Sequence, residues 1–489
     1  MKLVIKKLKE SLSRFELKKF DKSYVLLCMT YSLFKSIYGP LKIINVLRRF
    51  IVVQGLKLSV FMNLPLLSGQ FIRFGCRPLK GYCGVDRPRI WMLGKEGLIQ
   101  DFTGSLAGDH WNKPYDFPRD IPKVVARNYL PLGVDDNTYA NLDKKIEQVK
   151  DDYMEAWRSI IKGLPNSARP DAITTANFGY YAERELARAC ELENIPFIAM
   201  HKECLKSNGR LEFFKVIYQR RGKFEGRKIL VYNDRERKLQ IDSGVARSDQ
   251  VVVCGMPRLD RLHRWRETGI KRPERPRTLM ALGFTEKTGL PRIPRKCVEG
   301  GGVRFEYLEP EHENMGWFNL FLNYHETLVK IARDNPQWVV QLKLKARRRD
   351  AEPSVSLMKK LKAPENLQII VGEDPLKFLQ GADVVTGFNT TAVLEGLAAG
   401  LPVVTPQFDE VLQPNMCDFA ATFERATYTP DDPASFYAVL SELMNDQRKP
   451  QRDLSTPVLE TLDMWVGNPD GKSGQRVQQA FLQEIARGK

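Results

Sequence analysis

The residues best suited to chemistry lie in Gly381–Pro406, GADVVTGFNTTAVLEGLAAGLPVVTP. Asp383–Thr386 reads as a strand delivering the chain to the carboxyl edge of a parallel sheet, where open α/β folds bind ligands. Gly387 permits a tight turn, and Asn389, Thr390 and Thr391 open the next helix. Hydroxyls and free backbone N–H groups at a helix start form an anion site suited to phosphate. Glu395 stands four residues beyond Thr391 on the same helix face, where a carboxylate could accept ribose hydroxyls. The plainer alternative is an N-cap followed by an ordinary surface glutamate.

A second cationic edge follows a predicted strand at 343–349, KLKARRR. Lys343 and Lys345 share one strand face, so at least one is placed to reach a cleft. With Arg347 they suit a diphosphate or an anionic sugar donor. Arg348 and Arg349 fit an exposed basic loop equally well. His201 ends an apolar strand, and a neutral imidazole there could deprotonate a hydroxyl. Glu203 is the neighbouring candidate base, or orients the imidazole; a satisfied structural histidine is the alternative. Arg258 and Asp260 follow another strand directly and either bind in a cleft, clamp a hinge or form a structural pair. Asp109 and His110, in DFTGSLAGDHW, are reserve candidates for holding an acceptor.

Other chemistries lack their residues. GxxxxGK[ST] and GxGxxG are absent, which weighs against an ATPase or a dehydrogenase. The eight cysteines form no CxxC pair, and no DxD stands in the chain. We therefore expect no metal and no cofactor, with the charge of a leaving phosphate met by helix N–H groups and Lys/Arg. Scattered cysteines also suit a reducing cytoplasm.

The elements that position these residues alternate between strand and helix. Arg89–Leu93, Asp171–Phe178, Pro196–Met200, Lys228–Asn233 and Gln250–Cys254 read as strands separated by helical stretches. After the Arg/Pro-rich run Arg264–Arg277 a second series begins with Thr278–Gly283, Trp338–Leu344, Leu367–Val371, Asp383–Thr386 and Pro402–Thr405. Such alternation implies βαβ units and parallel sheets. The fold class is therefore α/β, with two Rossmann-like domains at 85–265 and 276–489. A Pro/Gly/charged insertion at 285–316 is too long for an ordinary βα loop, hence functional or mobile.

The amino-terminal segment, 1–84, differs in kind. Of the net charge of +17, +13 sits in residues 1–80, where sixteen Lys/Arg face only Glu10, Glu16 and Asp21. Ile5, Leu8, Leu12 and Phe15 recur at helical spacing with lysines between them, an amphipathic helix with a basic face. Apolar residues from Tyr38 to Phe71 are likewise mixed with Lys/Arg, and Pro65 and Gly69 mark breaks. A basic block interleaved with long apolar side chains suits an anionic membrane surface better than nucleic acid; a solvated basic helix is the alternative. No secretory signal and no spanning stretch of roughly 20 apolar residues stands out. The expected location is the cytoplasm, peripheral on the inner face of the plasma membrane.

Three segments together resemble the GT-B superfamily, in particular bacterial surface-polysaccharide transferases and CDP-glycerol glycerophosphotransferases. These are 381–406, Val251–Arg261 (VVVCGMPRLDR, similar to "GxPRxD") and Ile198–Gly209 (IAMHKECLKSNG, comparable to "WHGTPLKxxG"). The resemblance implies a cleft between two Rossmann-like domains, with a nucleotide-sugar donor on the carboxy-terminal one. A glycan or lipid-linked acceptor would then lie on the amino-terminal one. The glycerophosphotransferases' second histidine, in "KxHP", has no counterpart in KLKARRR, which favours a sugar over glycerol phosphate. The implied activity is a metal-independent glycosyltransferase. A polyol-phosphate transferase, a nucleotide-sugar epimerase of the same fold and a non-catalytic assembly scaffold are the alternatives.

Overall fold

The computed structural model describes residues 40–79, 87–105, 111–141, 144–268, 275–296, 303–423, 425–446 and 450–488. The predicted helix at Met1–Phe20 and the candidates Asp109 and His110 lie outside them.

Seven strands build the first sheet: β1 (Arg77–Pro78), β2 (Arg89–Leu93), β3 (Lys113–Phe117), β4 (Ala172–Thr175), β5 (Phe197–Met200), β6 (Lys228–Val231) and β7 (Val251–Val253). Their order is β1-β3-β2-β4-β5-β6-β7. All neighbours are parallel except β1, which closes the β3 edge antiparallel. Strands β4 and β5 are buried along their whole length, as expected of strands covered by helices on both faces.

The second unit begins with β8 (Thr278–Leu282). A hairpin of β9 (Ile293–Lys296) and β10 (Val303–Glu306) then forms within the predicted insertion. Strands β11 (Val339–Leu344), β12 (Leu367–Val371), β13 (Val384–Gly387) and β14 (Val403–Val404) complete a fully parallel sheet of order β12-β11-β8-β13-β14. Two Rossmann-like sheets in series give the GT-B-type α/β architecture that the sequence implies.

The two units share a core. One apolar cluster runs from Ile173 and Val231 through Leu259 and Leu262 to Val393 and Leu397. The last helix, Ser473–Arg487, corrects the sequence boundaries, which placed it with the second sheet. It buries Val477, Ala480, Phe481 and Ile485 among Ile90, Met92, Phe102 and Trp111 of the first unit. An amphipathic stripe records that a helix needs a partner, not which one.

Among the described residues, two helices precede the first sheet, Pro40–Phe61 and Pro65–Gly75. Pro65 opens the second, where its missing N–H costs nothing. Gly69, read as a break, instead lies buried inside that helix, and a Cβ there would come within 3.5 Å of the Ile160 carbonyl oxygen. That is ordinary van der Waals contact with the helix Lys144–Lys162, so the packing there does not require glycine. No helix among the described residues is long and apolar enough to cross a membrane.

Candidate active site between the two sheets

Strand order locates the crevice in each unit. In the first sheet the chain leaves β2 for β3 on one side and then crosses to β4 on the other, so the loops after β2 and β4 part. There Lys95 donates from Nζ to the Tyr180 hydroxyl at 2.9 Å. Arg119, just past β3, lies 3.8 Å over the Tyr180 ring and pairs through Nε with Glu183 at 3.2 Å. Lys202 and Glu203 follow β5. Burial is the largest influence on Lys95 and lowers its proton affinity; Glu203 opposes this, while Arg119 and Arg347 add to it. Arg347 belongs to the second unit, so the two sheets present cations to one another.

In the second sheet the order reverses between β8 and β13, and the loops Gly283–Leu290 and Phe388–Thr391 part. A cavity of about 420 Å³ opens at this edge. Lys287, Arg292, Lys345, Arg347 and Arg349 line it from the second unit, and Arg210, Phe213 and Phe214 from the first. Only Glu286 and Asp350 offset these six cations. Lys345 touches cleft solvent, yet dense walls still lower its proton affinity, burial being the first cause. Unneutralised guanidinium and ammonium groups beside aromatic walls suit a diphosphate carrying a ring system.

Arg258 joins the units. Its Nε donates to Glu395 Oε1 at 3.1 Å and an Nη donates to Thr391 Oγ1 at 3.3 Å, while the other Nη lies 3.5 Å from Asp101 Oδ1. Tyr232 donates its hydroxyl to the other Asp101 oxygen. Gly104 makes room for this turn, because a Cβ there would stand 3.1 Å from Arg258 Cα. Burial raises both carboxyls and Arg258 only partly opposes it. For Arg258 the two carboxylates outweigh burial and raise its proton affinity further.

The predicted site residues separate into two groups. Lys345 and Arg347 line the cavity. Thr390 caps the helix Thr391–Ala398, and Thr391 and Glu395 meet Arg258. Glu395 is thus held by a guanidinium rather than presented to a ribose. Asn389, at φ +48°, donates to the Phe419 carbonyl and accepts from the Ala421 N–H, pinning that segment beside Gly289. Lys343 is buried and donates to the Leu344 carbonyl at 2.9 Å, so Lys345 alone of the pair reaches the cavity. Asp260 faces away from the cleft. It accepts from Gly474 N at 2.7 Å, Ser473 N at 3.2 Å and Asn468 Nδ2 at 2.7 Å, anchoring the last helix.

His201 is a correction. The imidazole is 1% exposed, packed against Phe178, with Nε2 3.0 Å from the Tyr218 hydroxyl and 3.1 Å from Glu236 Oε1. It presents no edge to an acceptor. With Cys204 and Glu236 it has metal-ligand types within 4.8 Å. Glu236 is already occupied by Lys206, Tyr218 and Gln240, and burial pushes the Cys204 thiol far from its thiolate. The cluster is a hydrogen-bonded core beneath the cleft. Glu203, in contrast, is open to cleft solvent. Burial alone would raise its carboxyl, but the basic side chains of His201, Lys95, Lys206 and Arg221 outweigh it and keep it below the ordinary range.

Sequence reasoning missed Lys95, Arg119, Lys202, Arg210 and Arg292. Lys95, Arg119 and Lys202 stand two residues past a strand, and that position at a carboxyl edge is the signal that could have found them; Arg210 and Arg292, ten residues past theirs, carry no such sign.

No family model matches the chain, and no curated protein sequence matches it. Solved structures with similar folds include a candidate UDP-N-acetylglucosamine 2-epimerase from Listeria monocytogenes, at 9% identity over 82% of this chain and 97% of that one, with a TM-score of 0.48. UDP-GlcNAc 2-epimerase from Neisseria meningitidis, bound to UDP-GlcNAc, is 12% identical over 81% and 99%, with a TM-score of 0.43. Anabaena HepE, in complex with UDP and glucose, is 11% identical over 81% and 100%, with a TM-score of 0.41. Likeness this distant assigns no chemistry to the chain, which has to come from its own cleft.

Proposed function

We propose that the protein is a glycosyltransferase that moves a sugar from a nucleotide-activated donor to a lipid-linked glycan acceptor at an anionic membrane surface. The observation that carries the reading is the cationic cavity at the carboxyl edge of the second sheet, facing a second set of cations across the cleft. Lys345, Arg347, Arg210 and Arg292 would bind the donor diphosphate and hold the charge that grows on it as the sugar departs. The acceptor hydroxyl oxygen would form the new bond to the anomeric carbon. The bond to phosphate would break, its electron pair staying on the diphosphate, and the hydroxyl proton would pass to Glu203. A carboxylate held below its ordinary range is ionised and ready but weakly basic. The larger share of rate acceleration therefore falls to charge stabilisation by the cations.

In this reading the expected units of 85–265 and 276–489 divide the work: the second supplies most of the donor cavity, with Arg210 reaching it from the first, and the first offers Lys95, Arg119, Lys202 and Glu203 to the acceptor. The test is a panel of UDP-, CDP- and GDP-sugars, read by thermal midpoint and by nucleotide release with a lipid-linked acceptor. A ligand that binds only the folded chain raises its midpoint. Absence of binding by every donor would overturn the reading. Interconversion of a free nucleotide sugar, with no transfer, would replace it by an epimerase.

A further inference from the structure

Exposed apolar surface is concentrated on the two helices before the first sheet. Of the large apolar side chains exposed among the described residues, eleven lie between Ile44 and Phe74. Ile44, Phe50, Leu58 and Phe61 stand out from the first helix, and Leu66, 69% exposed, begins the second. The opposite face of the first helix is conventional core, with Val52, Leu56 and Val60 buried. Exposed apolar side chains gathered on one face mark an interaction site.

Beside this face the structure has a cavity of about 410 Å³. Arg48 and Arg49 enter it from the first helix, Arg77 from β1, and Gly94, Pro118 and Arg119 from just past the ends of β2 and β3. Four arginines meet two aspartates, Asp116 and Asp120. Arg49 pairs with Asp120. Arg48 also donates from Nε to the Phe74 carbonyl at 2.6 Å, and Arg77 donates to the Asn45 side chain and stands opposite Asp116 across the β1–β3 pair. Burial and then the Arg77 charge lower the proton affinity of Arg48, as two guanidiniums in one pocket should. Arg119 lines this cavity and also covers Tyr180 in the cleft, so one side chain separates the two spaces.

We infer that this cavity binds the phosphate of the lipid-linked acceptor, while the exposed face of Pro40–Phe61 and Pro65–Gly75 lies on the bilayer holding its hydrocarbon chain. The occupant is an amphiphile: its acyl or prenyl chain stays in the membrane, its phosphate sits among Arg48, Arg77 and Arg119, and its sugar end passes Arg119 into the cleft. This rests on the transferase reading and adds the chemical class of the acceptor, a lipid phosphate or diphosphate.

The full chain is sedimented with vesicles of phosphatidylcholine containing a long-chain prenyl phosphate. In parallel it meets vesicles brought to the same surface charge with phosphatidylglycerol. The expected result is tighter binding to the prenyl phosphate. Arg77→Gln should weaken that preference about fivefold, the share of one arginine at a membrane surface, and Arg77→Lys should restore part of it. Leu47→Ser with Phe50→Ser should weaken binding to both vesicles. Equal binding to both vesicle types, or a preference untouched by Arg77→Gln, would overturn the inference. Nucleotide-induced stabilisation of these variants is measured alongside. Its retention shows an intact donor unit, and its absence from the unsubstituted chain would instead sink the transferase reading.

Discussion

Arg258 and Glu395 meet at 3.1 Å although 137 residues separate them, and through this pair the first sheet is tied to the helix in the middle of the predicted donor segment. Asp101 stands on the guanidinium's other side. Arg258→Ala leaves two buried carboxyls without their cation. Breaking such a pair from one side costs roughly 3–5 kcal/mol. Chemical denaturation should show a loss of that size, and Arg258→Met combined with Asp101→Asn and Glu395→Gln should recover much of it. A negligible loss in the single variant would remove Arg258 as the joint between the units.

Glu203 and His201 are two residues apart and should behave differently. Glu203→Gln is expected to lower kcat by about 10²–10⁴-fold, the usual share of a proton acceptor, with the nucleotide-induced midpoint shift retained. His201→Gln should lower stability instead, because it disturbs the buried contacts with Tyr218 and Glu236. A variant of His201 that folds normally yet loses turnover would reverse the two roles.

Lys345 and Arg347 should govern affinity for the donor. Charge-assisted hydrogen bonds contribute about 1.5–3 kcal/mol each, so either alanine variant should weaken nucleotide binding roughly 10–100-fold. Lys343→Met, which alters a buried strand position, should change stability more than affinity. Calorimetric titration of the three variants with one nucleotide diphosphate separates these outcomes.

Buried titratable groups should pull the stability of the fold in opposite directions between about pH 4 and 7. Burial raises Glu183 from 4.5 to about 7 and Asp260 from 3.8 to about 6. The folded chain therefore holds these protons more tightly. That stabilisation is complete below the unfolded values and is lost as pH rises through 6 and 7. His263 and His325 act oppositely: burial lowers both from 6.5 to about 4, so stability present above 6.5 is lost on acidification towards 4. Glu183→Gln should remove the loss that Glu183 contributes between about pH 4.5 and 7, so that denaturation midpoints read across pH rise more steeply towards neutrality than in the unsubstituted chain.

The strands of both sheets were largely legible because buried parallel strands are short apolar runs, such as IAM before His201 and VVT before Gly387. Strand β3 was not, since Pro114 interrupts KPYDF and a proline ordinarily argues against a strand. The donor-side cations Lys345 and Arg347 could be found because they follow a strand directly. Arg210 and Arg292 could not be weighted, as only folding brings the helix Asn208–Arg221 of one unit against the insertion of the other. His201 illustrates the opposite failure. A residue at a strand end is placed on the correct edge, but sequence carries no sign of whether a tyrosine and a glutamate will cover it.

The last helix gives the molecule a clasp. Phe481 rests 5.6 Å from the ring of Phe102 and 5.8 Å from that of Trp111, and Glu484 lies beside Arg227 and Lys228 at the foot of β6. Severing the chain between the sheets would not yield two self-sufficient halves: the front piece would bare the bed of Phe481, and the rear piece would carry a helix with nothing to lie on. A stop codon ahead of Ser473 would injure the half that was translated first. The helix Ser473–Arg487 must be made before the core of the first sheet can be finished.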